Sequence, residues 1–280
     1  MLVPLLFVSP FVCSSWPHHG VPVLSTSSNE ESSQWIPILS KVDLVAFSSR
    51  QMAAVRALES QRSDALFYDN ISALLAGPEA MAMADELVAS VGVQGIGRKI
   101  AVRTRYFDDF VLDCSGRGIA QFVLLGAGMD TRAWRLKGLS GCRVFEVDSE
   151  LVLECKADAL GKIEQMPYAE VIGVAADISH SSWLSAITEA GVDLTKPIAW
   201  VAEGLLMYLS ETQVEQLLST IGRASCHSSA LGASLVDRAS LYDALASTSK
   251  LMNTWKWGCD DPKPFFCSHL GLEGSMQKEE

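Results

Sequence analysis

Two glycines, an aspartate beside them and a second aspartate further along could together hold a nucleoside cofactor. They lie in Phe122-Val-Leu-Leu-Gly-Ala-Gly-Met-Asp-Thr-Arg132 and in Val144-Phe-Glu-Val-Asp148. The first run reads as a buried strand, a glycine turn and the start of a helix, and the second as another strand ending in acids. Gly126 and Gly128 let the backbone turn sharply and leave room for a ligand against the main chain. Asp148, twenty positions after Gly128, stands where a carboxylate accepts hydrogen bonds from the two hydroxyls of a ribose.

Two cofactor classes compete for this half-site. A dinucleotide fingerprint has a third glycine three positions after the second, so that helix and strand pack closely, and here that position is Thr131. Asp130 is also ill placed beside a pyrophosphate, because two anions would share one helix N-terminus. S-adenosylmethionine carries no phosphate, and the ammonium of its methionine end suits an acid. The residues favour S-adenosylmethionine over a nicotinamide or flavin dinucleotide.

Further candidates follow later strands. Glu146 and Asp148 are two apart, which puts both on one face of their strand. Asp177 and Ile178 could serve an adenine, the carboxylate accepting from the amino group and the next N–H donating to a ring nitrogen. Glu203 sits in an apolar run that continues through Leu205, Leu206 and Met207, where a charge needs a partner or a task. Each has a plainer explanation. Asp148 and Asp177 could cap helices, Arg103 and Arg105 could form a solvated helix face, and Trp200 and Tyr208 could be core or face a substrate.

These residues need elements to position them. Strands are expected at Gln121–Leu125, Arg143–Val147, Glu170–Ala176, Ile198–Ala202 and Ala230–Val236, with runs apolar enough for burial on both faces of a parallel sheet. Helices are expected at Glu150–Glu164, Ser182–Ala190 and Ser210–Ile221, the last with Ser210 as N-cap, Gln213 at the capping-box position and Gly222 as stop. Before the first strand come a helix from Ser40 to about Ser60, one opening at Pro78 and stopping at Gly92, and one over Arg98–Val111. The expected fold is α/β, a doubly wound and mostly parallel Rossmann-like sheet (residues 119–280) under an N-terminal helical layer (residues 36–118).

Composition narrows the functions. With 280 residues, 49% hydrophobic and 20% charged, the chain has material for a sizeable core. A net charge of −11 lacks the basic footprint of bulk nucleic-acid binding, although Arg98, Lys99, Arg103 and Arg105 cluster locally. Seven cysteines without a CxxC pair point to reduced thiols, and five histidines without ligand spacing point to no metal. No run reaches the roughly 18 uninterrupted apolar residues of a membrane span. Residues 1–35 are expected to be a disordered leader or a targeting segment. They have no Lys or Arg, are broken by Pro4 and Pro10, and are serine-rich from Ser25 to Ser33. The expected compartment is the cytoplasm, or a plastid or mitochondrion if the leader is a transit peptide.

The ordered series Arg103-Thr-Arg-Tyr-Phe-Asp-Asp, Leu125-Gly-Ala-Gly-Met-Asp-Thr-Arg, Phe145-Glu-Val-Asp, Ala176-Asp-Ile and Trp200-Val-Ala-Glu-Gly-Leu-Leu-Met-Tyr-Leu resembles the leucine carboxyl methyltransferase family. It is most similar to the branch of S-adenosylmethionine-dependent methyltransferases abundant in mycobacteria, and Arg56-Ala-Leu-Glu and Leu66-Phe-Tyr-Asp69 add to the likeness. The resemblance implies that Arg103 pairs with the cofactor carboxylate and Gly126 approaches its methionine portion. It further implies that Asp148 holds the ribose, Asp177 and Ile178 hold adenine, and Glu203 faces the ammonium. The implied reaction is O-methylation of a carboxyl or hydroxyl, on a small molecule or a protein C-terminus. A carboxylate acceptor needs no general base. Proteins of this family end in a β-hairpin that this chain is expected to lack, so an impaired or non-catalytic cofactor-binding protein is the alternative, ahead of a nicotinamide oxidoreductase.

Overall fold

A computed structural model of the protein describes residues 5–8, 44–91, 93–246 and 251–271. Six strands form one sheet: β1 (Leu5–Val8), β2 (Gln121–Leu125), β3 (Arg143–Asp148), β4 (Glu170–Ala175), β5 (Ile198–Ala202) and β6 (Ala230–Ser234). Their order is β1-β6-β5-β2-β3-β4, and every pairing is parallel. The chain lays β3 and β4 on one side of β2 and then crosses to lay β5 and β6 on the other. The topological switch therefore lies between β2 and β5, whose carboxyl ends open a crevice.

Alternate residues of each strand bury on opposite faces. On one face Phe122, Leu124, Val144, Ala199 and Val201 share a core with Ala53, Ala54, Phe107 and Phe110. These last four belong to α1 (Leu44–Glu59) and α3 (Val93–Gly116), and α2 (Ser72–Val91) contributes Leu75 and Ala76. The other face buries Val123, Phe145, Ile198 and Trp200 against Ile187, Leu217 and Phe266. Those come from α6 (Trp183–Glu189), α7 (Glu211–Ala224) and α9 (Pro262–His269). The helical layer expected as a cap thus supplies half of the sheet's cover. The remaining helices are α4 (Arg132–Arg135), α5 (Glu150–Leu160) and α8 (Arg238–Ala246).

The central strands match their expected bounds within two residues. Glycine and proline bend α2 at Gly77 (φ 72°, ψ 170°), so Pro78 opens a helical segment as expected, but one turn of helix precedes it. The third helix is longer than expected, starting at Val93 and ending at Gly116. Of the leader, expected to lack structure, Leu5–Val8 pairs with β6 from Leu5↔Leu231 to Val8↔Ser234. This apolar run of four lies between Pro4 and Pro10, a composition suited to a short edge strand. Ser40, Asp43, Gly92 and residues 272–280, about where the hairpin of the family is expected to begin, lie outside the described residues. Among those described, no helix is long and apolar enough to cross a membrane.

One expectation is corrected. Helix α7 has the capping box formed by Ser210 and Gln213, but it runs through Gly222 to Ala224. Gly222 stays helical because it is needed for space: a Cβ there would stand 2.6 Å from the carbonyl oxygen of Leu270, at the end of α9. Helix propensity alone would make Gly222→Ala stabilising by about 1 kcal/mol. The contact reverses this, and we expect a net loss of roughly 1–3 kcal/mol in urea unfolding.

Candidate functional site

A cavity of about 360 Å³ opens at the switch point. Of the residues singled out from the sequence, Arg103, Gly126, Gly128, Asp130, Asp148, Asp177, Ile178, Glu203 and Tyr208 line it. Its floor is the carboxyl ends of β2, β3 and β5, and α1 and α3 provide the opposite wall through residues such as Ser49 and Arg103.

The glycine turn is tight on both sides. Gly126 (φ 66°) and Gly128 (φ 50°) occupy the left-handed region that side chains rarely adopt. The N–H groups of Gly126 and Ala127 both donate to the carbonyl of Val147, at 2.9 and 3.1 Å. A Cβ on Gly126 would meet Leu205 at 3.1 Å, and one on Gly128 would meet Ser49 at 2.8 Å. The turn is thereby fixed to β3, and through its close fit to α1.

Asp148 holds that turn as well as facing the cavity. It accepts from the N–H of Gly128 and the N–H of Ser149, each at 2.7 Å. Burial pushes its carboxyl above the usual range, opposed by these two backbone donors. It is not a helix cap, since Ser149 is the N-cap of α5. Asp177 is well exposed and organises its own loop, accepting from the N–H of Ser179 at 2.8 Å and contacting His180 Nδ1 at 2.8 Å. The Ser179 hydrogen bonds hold its carboxyl low.

The acids near the centre are buried with arginines. Arg132 Nε donates to Asp108 at 2.9 Å, its Nη2 to Glu203 at 2.7 Å and its Nη1 to Asp130. Arg103 Nε donates to the other oxygen of Glu203 at 2.9 Å. Burial alone would raise Asp130, but the charges of Arg132, Lys156 and Arg135 overcome it and lower the carboxyl to about 2. Glu203 is likewise held down against burial, by Arg132 and Arg103. The network continues outward. Asp69, with none of its side chain exposed, accepts from Arg56 Nε at 3.0 Å and from the Thr131 hydroxyl at 2.6 Å. Arg56 also donates to the carbonyl of Met129 at 2.5 Å, and Arg135 Nε donates to Thr131 at 3.1 Å. Thr131 therefore uses its side chain at the position where a dinucleotide fingerprint has glycine.

The sequence pattern assigns no role to Arg132, Arg135, Asp108 or Asp69. A signal for Arg132 is present, since it heads the buried run Arg132-Ala-Trp134. Two candidates leave the site. Glu146 shares a strand face with Asp148, yet Lys156 of α5 covers it with both oxygens 2.7 Å from the ammonium, and it does not line the cavity. Trp200 is core, fully buried, edge-on to Trp183 and donating to the Ser225 hydroxyl at 2.9 Å. Arg105 is the solvated member of its pair, joined to Asp109 on the exposed face of α3.

A sequence profile of the leucine carboxyl methyltransferase family matches residues 49–222, a span that holds the glycine turn, both central acids and the arginine network. The chain belongs to this family. A Streptomyces coelicolor relative, named for S-adenosyl-L-methionine-dependent methyl transfer, is 38% identical over 232 residues, 80% of this chain and 81% of its own. One from Mycobacterium avium with the same kind of name is 40% identical over 181 residues, 61% and 58% of the two chains. A solved structure of a DUF574 family protein from Streptomyces avermitilis shares the fold with a TM-score of 0.53 at 16% identity, covering 76% of this chain and 80% of that one. The protein is an S-adenosyl-L-methionine-dependent methyltransferase, and the resemblance read from its five motifs is borne out.

In the methyltransferase, Thr131→Val keeps the side-chain shape but removes the donor to Asp69 and the acceptor for Arg135. We expect a loss of about 1–3 kcal/mol in chemical denaturation, largely restored by Thr131→Ser.

Proposed function

We propose that the protein transfers a methyl group to a carboxylate, with the cofactor held by the residues of the switch-point cavity. The observation that carries this reading is the state of the acids there. Asp130 and Glu203 are bound to arginines and held low, and Asp177 is held low by its own loop. Asp148 is raised by burial, but each of its oxygens already accepts a backbone N–H and it is assigned to the ribose, and the lining contains no histidine among the described residues. A hydroxyl acceptor would need one of these groups to take its proton. A carboxylate is already ionised at neutral pH and is its own nucleophile.

The cavity fits S-adenosylmethionine in two respects. Gly126 and Gly128 hold left-handed conformations without side chains of their own, so the turn presents bare main chain to the cavity it lines. Opposite charges lie together in Arg103 and Glu203, a match for a ligand carrying both a carboxylate and an ammonium. Arg103 would take the carboxylate and Glu203 the ammonium, with Glu203 kept in place by Arg132. Asp148 is anchored by one backbone N–H on each carboxylate oxygen, and the second lone pair of each would accept from the ribose hydroxyls. Asp177 and Ile178 would border the adenine. When bound, S-adenosylmethionine supplies an electrophilic methyl group on a positively charged sulfur. The chain's own part is to align acceptor and donor, since a fixed approach replaces a bimolecular encounter.

Calorimetric titration with S-adenosylhomocysteine, with NADH as control, tests the cofactor site. We expect micromolar binding of the first alone, weakened by at least about tenfold in Asp148→Ala through loss of two charge-assisted hydrogen bonds. The rate of methyl transfer should be level between about pH 6 and 9, where a carboxylate acceptor stays ionised. A tenfold rise per pH unit would mean that a proton is lost from the acceptor, and the carboxylate reading would fall.

A further inference from the structure

The cofactor assignment leaves one end of the cavity without a role, and any reading of that end rests on the assignment. The rest of the lining includes Met52 and Ile100 from α1 and α3, Met207 and Tyr208 after β5, and Met252 and Trp255 from the segment after α8. Met207, Met252 and Trp255 form a hydrophobic cluster of their own with Val236 and Ala244, and Tyr208 packs on it. Polar groups are few at this end. The Tyr208 hydroxyl lies 3.5 Å from that of Ser48, which itself donates to the carbonyl of Val45 at 2.6 Å. The indole N–H of Trp255 is buried without a hydrogen-bond partner among the described residues. Lys99, exposed at the rim, stands one helical turn before Arg103 on the same helix.

We propose that the acceptor is a small carboxylic acid with an aliphatic or aromatic body. The body lies among Met52, Met207, Met252 and Trp255, and the carboxylate lies on the side of the cavity that carries Lys99. Thioethers give adaptable apolar contact, and the unpartnered indole N–H of Trp255 is a single donor that an acid oxygen can use. The charge of Lys99 draws an anion to the cavity. A peptide C-terminus fits less well, because each of its last amides needs both a donor and an acceptor, and among Met52, Met207, Met252 and Trp255 the side chains offer only the one indole N–H. In the transfer, one carboxylate oxygen forms a bond to the methyl carbon as the carbon–sulfur bond breaks with its electron pair staying on sulfur. The negative charge of the acid and the positive charge of the sulfonium both disappear, and no proton moves.

The test is titration of the full chain, saturated with S-adenosylhomocysteine, with decanoate, 3-phenylpropionate, decan-1-ol and an N-acetylated tripeptide ending in leucine. Mass spectrometry with S-adenosylmethionine then reports methyl ester formation. We expect both acids to bind and be esterified, with the alcohol and peptide at least about tenfold weaker, as loss of a charge-assisted contact predicts. Lys99→Gln should weaken the acids several-fold and flatten their salt dependence. Met52→Glu should abolish acid binding while the S-adenosylhomocysteine affinity stays unchanged. Acids bound no better than the alcohol, or a preference for the peptide, would overturn the proposal while leaving the cofactor site intact. A folded protein that does not bind S-adenosylhomocysteine at all would remove the cofactor assignment, and this inference with it.

Discussion

Arg132 carries a full positive charge to a place where 4% of its side chain is exposed, and the neighbouring structure is arranged to answer it. Asp108 reaches it from α3, Asp130 from the glycine turn and Glu203 from the loop after β5. Removing one partner of a buried ion pair costs about 3–5 kcal/mol, because the charge left behind has no solvent. Three separate elements are therefore held to a single guanidinium. The turn that cradles the ligand and the acid at the centre of the crevice have little freedom to move relative to one another.

How much of this is legible in the sequence depends on how far each constraint reaches along the chain. The strands can be read because apolar runs bounded by turn residues are local signals, and the acids can be placed because they follow the strands directly. Partnerships cannot be read in the same way. Asp69 and Thr131 are 62 positions apart, and Arg103 and Glu203 are 100 apart, so only the folded topology brings them together. Glu146 shows a subtler limit. It does share a strand face with Asp148, but the next helix lays Lys156 over one acid and leaves the other open. Gly222 misleads for a related reason: its role is set by the carbonyl of Leu270, far along the chain, and not by the helix that contains it.

The acceptor end illustrates the same division. The side proposed for the cofactor comes from contiguous motifs around β2, β3 and β5, whereas the opposite side is assembled from α1, α3 and residues 251–255. The motifs on α1 and α3, Arg56-Ala-Leu-Glu and Arg103-Thr-Arg-Tyr-Phe-Asp-Asp, do not include the apolar residues Met52 and Ile100, and none falls on residues 251–255. Side chains such as Met52, Met252 and Trp255 look like ordinary core residues until the fold shows them around a cavity that also holds charged groups.

The bond from Thr131 to Asp69 bears on how such enzymes can be recombined. If the helical layer were a detachable module, a chimera could take its selectivity from one parent and its donor chemistry from another, with the junction near residue 118. Here that junction would cut between Asp69 and Arg56 on one side and Thr131 and Met129 on the other, partners that touch across it. A transplanted layer lacking that pair would leave the borrowed glycine turn without its anchor. Sequence exchange between relatives must therefore carry these four positions as one heritable block.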